Sequence, residues 1–85
     1  MRVIQFTNEA FNQFTEWQIT DKKIFQKIVA LIKETERNPF EGSGKPEPLK
    51  HDLQGYWSRR INLEHRLVYK VSENSILIIA CKYHY

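Results

Sequence analysis

Residues 56–83 read YWSRRINLEHRLVYKVSENSILIIACKY. Three β-rich runs stand out in them, Tyr56–Ile61, His65–Val71 and Ser75–Tyr83, separated by short polar turns around Asn62 and Glu73-Asn74. Apolar and β-branched runs joined by turns this short predict an antiparallel meander. In the middle run His65, Leu67, Tyr69 and Val71 share one face, and Arg66, Val68 and Lys70 share the other, because successive side chains in a strand alternate. The first set suits a core, so Arg66 and Lys70 point to an open face. Ile76-Leu77-Ile78-Ile79-Ala80-Cys81 is apolar at every position, as a central strand needs.

Such a sheet needs a cover, and the residues before it supply one. Arg2 to Phe6 reads as a short strand, after which Thr7 or Asn8 offers an N-cap. Ala10, Phe11, Phe14 and Trp17 form an apolar stripe on a helix from about Asn8 to Gln18. Thr20 or Asp21 caps a second helix through about Arg37, with Ile24, Ile28, Leu31 and Ile32 on its buried face, and Asn38-Pro39 ends it. A link as short as Ile19–Thr20 makes the pair an antiparallel hairpin. All three prolines and all three glycines fall within residues 39–55, the one real loop region of the chain. The expected fold is α+β: a short strand, a helical hairpin, then a three-stranded antiparallel meander with the first strand added at an edge.

At 85 residues the chain reads as a single domain, residues 1–85, and 41% hydrophobic with 27% charged residues is the composition of a folded protein. No apolar run approaches the roughly 20 residues that span a bilayer and no signal-peptide pattern opens the chain, so the expectation is a soluble, cytoplasmic protein without membrane contact. The lone Cys81 cannot form an internal disulfide, and its apolar strand implies a buried, inert thiol. The net charge is +3, and the whole excess lies in residues 44–85, where Lys45, Lys50, Arg59, Arg60, Arg66, Lys70 and Lys82 face Glu47, Asp52, Glu64 and Glu73. His51, His65 and His84 share that half, which reads either as a phosphate-handling surface or as a solvated basic sheet face.

The histidine spacing carries no metal signature, and Gly42-Ser43-Gly44-Lys45 lacks the spacing of a phosphate loop. No metal or cofactor is expected. What remains is a set suited to RNA cleavage. Attack of a ribose 2′-hydroxyl on its own phosphate needs a base, an acid for the leaving 5′-oxygen, and cations for the growing charge. Glu47, His84, Arg66 and Arg60 fit these roles, and Pro46 and Pro48 stiffen the chain around Glu47. Spacing alone also allows a solvated loop glutamate at 47, a frayed terminal histidine at 84, and a surface ion pair of Arg66 with Glu64 or Glu73.

Four motifs in order, Lys45-Pro46-Glu47-Pro48-Leu49-Lys50-His51, Trp57-Ser58-Arg59-Arg60-Ile61, Glu64-His65-Arg66-Leu67-Val68-Tyr69 and Tyr83-His84-Tyr85, resemble the YoeB (Txe) toxins of the RelE/ParE superfamily. The match is close through residues 38–85 and looser over the two helices. The resemblance implies a RelE-like fold and a toxin of a type II toxin–antitoxin pair, a ribosome-dependent endoribonuclease that cuts mRNA in the decoding site. It implies a YefM/Phd-type antitoxin as partner and operator DNA bound only by the toxin–antitoxin complex, while monomer and homodimer both stay open. Position by position, Glu47 matches the general base, His84 the general acid and Arg66 the transition-state cation. Arg60 and Lys50 match residues holding phosphate and nearby RNA, and Tyr85 a terminal aromatic on which activity depends. Lys82 stands where the family carries an arginine, which keeps the charge but loses the planar fork. Two other readings use the same residues: a module that blocks a macromolecule without cutting it, as ParE-type relatives act on gyrase, and a plain nucleic-acid-binding subunit.

Overall fold

Thr7 and Asp21 decide where the helices begin. In the computed structural model, which describes residues 2–83, strand β1 (Val3–Phe6) ends at Thr7, whose hydroxyl accepts from the Ala10 amide at 3.1 Å and opens helix α1 (Asn8–Thr20). Asp21 serves both helices. Its amide donates to the Trp17 carbonyl at 2.9 Å and closes α1, while its carboxylate accepts from Lys23 and Ile24 at 3.1 and 3.2 Å and opens helix α2 (Lys22–Arg37). A side-chain cap of this kind contributes about 1 kcal/mol. The hairpin link is thus one residue, shorter than the Ile19–Thr20 link expected, because α1 contains no helix breaker before its cap.

Strands β3 (Tyr56–Arg60), β4 (Arg66–Val71) and β5 (Ser75–Ala80) form the expected meander, and β1 joins it at the edge, parallel to β5. The sheet has one strand more than the sequence suggested. Glu47–Pro48 (β2) pairs antiparallel with β3, giving the order β1-β5-β4-β3-β2. Proline is tolerated there because an edge strand has one side unpaired. Backbone bonds from Leu49 to the Tyr56 carbonyl (2.8 Å) and from Arg60 to the Gly44 carbonyl (2.6 Å) extend the contact beyond the two strand residues. The middle of the expected loop is therefore anchored to the sheet.

Both helices lie on one face. Ala10, Trp17, Ile28, Leu31 and Ile32 pack with Ile61, Leu67, Tyr69, Ile76 and Ile78, and Phe6, Phe14 and Phe25 stack beside them with centroids 5.1 and 4.8 Å apart. Phe11, expected in this stripe, is 52% exposed and meets only the edge of Phe6 within the aromatic cluster. It sits at the rim, where the helix surface turns away from the sheet. Cys81 is fully buried, and burial pushes its thiol up to about 12. A thiol reagent should leave it untouched in native buffer and titrate it in concentrated guanidinium; fast native reaction would mean that this end of the sheet opens readily. No described helix is long and apolar enough to cross a membrane.

Candidate active site on the helix-free face

The register decides which side chains meet. On the face away from the helices, β3 and β4 bring Tyr56 opposite Lys70, Ser58 opposite Val68 and Arg60 opposite Arg66, while β2 brings Glu47 opposite Ser58. Glu47, Ser58, Val68 and, on β5, Ala80 thus form one row across the sheet, with Arg60 and Arg66 in the next. Ser58, Val68 and Ala80 are buried, although the main core lies on the other face. They make a tight floor between Glu47 at one edge and the paired arginines. Glu47 and Arg60 are exposed and Arg66 is half-buried.

Directly opposed residues have Cβ atoms roughly 4.5–5.5 Å apart, and like charges placed so are destabilising. Arg60 and Arg66 carry that penalty unless an anion lies between them. Arg66 is braced to meet one. Its Nη1 donates to the carbonyls of Asn62 (2.9 Å) and His65 (3.1 Å), and its ion pairing with Glu64 or Glu73 is not found among the described residues. Among the described residues its side-chain hydrogen bonds run through Nη1 alone. That leaves Nη2 and Nε for a bidentate partner. In the row on the other side of the floor from the arginines, the Lys70 ammonium lies 5.8 Å from the Tyr56 ring centroid. Lys50 is exposed just beyond β2, where it precedes a short 3-10 turn (His51–Leu53). Lys45 and His51, on either side of β2, hold positive φ values of 51° and 58°. Each costs roughly 1–2 kcal/mol for a residue with a Cβ, so the path of this segment is imposed by its surroundings. His84 and Tyr85, the expected acid and terminal aromatic, lie outside the described residues.

One base expected on the charged surface is not there. Arg59 alternates to the helix side with Trp57 and Ile61 and is fully buried. All five of its N–H donors are used: Nε to the Tyr69 hydroxyl (3.1 Å), Nη1 to Glu34 (2.7 Å) and the Ser43 carbonyl (3.1 Å), and Nη2 to the carbonyls of Asn38 and Glu41. The Tyr69 hydroxyl in turn donates to the Pro39 carbonyl at 2.7 Å. This knot fixes residues 38–44, the chain that delivers β2. Gly42 is part of it: φ is 120°, and a Cβ there would collide with the Glu34 carboxylate. The period-two neighbours Trp57 and Ile61, both apolar, were the signal that could have assigned Arg59 to the core.

The Ser43 amide, then the Ser43 hydroxyl and the Arg59 guanidinium, bond the ionised Glu34 carboxyl and hold it below its ordinary value. A lowered folded pKa adds stability above the unfolded value of 4.5, and that stability is lost as the pH falls through the folded one. The Glu34→Gln variant should therefore be less stable than the parent at neutral pH, with the gap narrowing in acid. Urea midpoints across that range check it; a gap independent of pH would mean the carboxylate charge contributes nothing.

Comparison with known proteins agrees with the fold. The family model for the YoeB-like toxin of bacterial type II toxin–antitoxin systems matches residues 6–85. The chain belongs to this family. Toxin YoeB of Escherichia coli (strain K12) is 60% identical over 80 residues, 94% of this chain and 95% of that one. Among solved structures, the YoeB dimer from Staphylococcus aureus superposes with a TM-score of 0.92 at 53% identity, covering 99% of this chain and 98% of its own. A YoeB–YefM complex from the same organism gives 0.90 at 51% identity, covering 100% and 99%. This YoeB-like chain is therefore a toxin of the type II class, with two helices packed on one face of a five-stranded mixed sheet.

Proposed function

We propose that this YoeB-family toxin is a ribosome-dependent endoribonuclease that cuts mRNA in the decoding site and so stops translation. The observation that carries the reading is the opposed pair Arg60 and Arg66, one row from Glu47 on the helix-free face. Two cations held against their own repulsion suit a phosphate whose negative charge grows during reaction.

The chemistry is transesterification without a metal ion. Glu47 takes the proton of the 2′-hydroxyl as its oxygen bonds to phosphorus. The bond from phosphorus to the 5′-oxygen breaks, and His84 protonates that oxygen. Arg66 holds the non-bridging oxygens, while Arg60 and Lys50 bind the phosphate and adjoining strand and Tyr85 supports the site. The products are a 2′,3′-cyclic phosphate and a 5′-hydroxyl, and DNA is spared because it lacks the attacking group. Ribosomes as the target imply a cytoplasmic site of action. The YoeB–YefM complex supports a YefM/Phd-type antitoxin as partner, and the YoeB dimer supports self-association; binding of operator DNA by the toxin–antitoxin pair is part of the proposal.

Primer extension on an mRNA in a purified translation system, with and without ribosomes, tests the reading. Cuts within the decoding-site codon that need ribosomes and vanish in both Glu47→Ala and His84→Gln are expected. Arrested translation with intact mRNA would replace cleavage by blockade, and 5′-phosphate ends would overturn the mechanism.

A further inference from the structure

Residues 81–83 follow the last strand, yet they are tied down from two sides. From α1, Gln13 accepts from the Cys81 amide (2.8 Å), the Trp17 indole donates to the Cys81 carbonyl (2.9 Å) and Glu16 pairs with Lys82 (2.9 Å). From the start of β4, the His65 Nδ1 accepts from the Tyr83 amide at 2.8 Å, and the Arg66 amide donates to the Tyr83 carbonyl at 2.8 Å.

His65 is the unusual member of this set. It is buried at 6% exposure, with the Trp17 ring edge-on at 4.9 Å, while Tyr83, the residue it grips, is 60% exposed. The Tyr83 ring meets the His65 ring at 5.9 Å between centroids and the Lys82 ammonium at 5.3 Å, and this surface packing leaves the buried backbone bond as the firmer hold. Accepting through Nδ1 places the ring proton on Nε2, which faces the Glu64 carboxylate at 3.5 Å. Tyr83 also holds φ at 62°, a left-handed conformation that a tyrosine adopts only under constraint. Both ends of its peptide are fixed, and the carbonyl through which the chain continues to residue 84 is bonded to the amide of Arg66 itself.

We infer that His65 is a positioning residue: by gripping the Tyr83 amide it fixes where the chain leaves for residue 84, in register with Arg66. The inference rests on the reading of His84 as general acid. A tail released at this point would misplace the acid while leaving the arginines and Glu47 in place, and misplacement of about 1 Å can cost roughly 100-fold in rate.

The test has a structural arm and a catalytic one. In the unmutated protein, imidazole nitrogen shifts should report the Nε2–H tautomer of His65; the Nδ1–H tautomer would overturn the inference whatever the variants do. His65→Phe keeps a ring against Trp17 but has no acceptor, whereas His65→Asn puts an oxygen near the position of Nδ1. In His65→Phe the Tyr83 amide should lose hydrogen-exchange protection while the amides of Leu67 and Ile78 keep theirs. Single-turnover cleavage on saturated ribosomes should fall by about 100-fold, with ribosome binding unchanged. His65→Asn should recover most of both. Equal impairment of the two variants, or lost protection with undiminished cleavage, would overturn the positioning role. If the parent protein cuts no mRNA, the nuclease reading fails and the positioning role falls with it, while the tautomer and amide results still report separately on the grip on Tyr83.

Discussion

Replacing Glu47 by Gln should lower single-turnover cleavage of ribosome-bound mRNA by roughly 10²–10⁴-fold, the usual contribution of a positioned general base. Stability should hardly move. Glu47 is exposed on a two-residue edge strand and takes part in no ion pair among the described residues, so its loss falls within about 0.5 kcal/mol. Its backbone place opposite Ser58 does not depend on the side chain. Binding should hold or tighten, because the change removes a negative charge from a chain already at +3. Separating the two effects is what makes the variant informative. A module that only binds nucleic acid would keep its function in Glu47→Gln, so undiminished inhibition with no cleavage in the parent would favour that account.

The largest stability effect should come from the neighbouring arginine that faces the other way. Arg59→Met should destabilise the protein by about 3–5 kcal/mol, read as a lower denaturant midpoint at unchanged slope. The cost does not come mainly from the lost charge pair, since Glu34 can rehydrate. It comes from the carbonyls of Asn38, Glu41 and Ser43 and the Tyr69 hydroxyl, which lose their donors together. Arg59→Lys should rescue little, because three donors on a point charge cannot replace five on a rigid fork. Arg60→Met, one residue on, should be close to neutral or stabilising, since it relieves the repulsion with Arg66. A loss below about 1 kcal/mol in Arg59→Met would mean that water satisfies the loop carbonyls.

These two arginines show what kind of information the sequence carries. Helix α2 was legible from Asp21 to Arg37 because its cap, its apolar period and its Asn38-Pro39 stop are all local. The alternation in β4 placed Leu67 and Tyr69 in the core and Arg66 and Lys70 away from it, since period two is a property of the strand itself. The all-apolar run of β5 announced an interior strand for the same reason. Alternation could also have shown that Arg59 and Arg60 face opposite ways. It could not show that five acceptors from residues 34–69 converge on Arg59, because a buried charge is tolerated only once its distant partners are in place.

Local patterns along the chain set the α+β class, the helix limits to within a residue or two, which strand faces are apolar, and the motifs that mark the family. Tertiary structure alone decided that β1 runs parallel beside β5, that Glu47 sits on an edge strand opposite Ser58, that Arg60 opposes Arg66, and that His65 grips Tyr83. The physical reason is common to all four. Each joins residues that are not neighbours in sequence, whether across the short β3–β4 turn or from opposite ends of the chain, and is set by strand register and by burial of the whole sheet, neither of which leaves a periodic trace in the residues that take part.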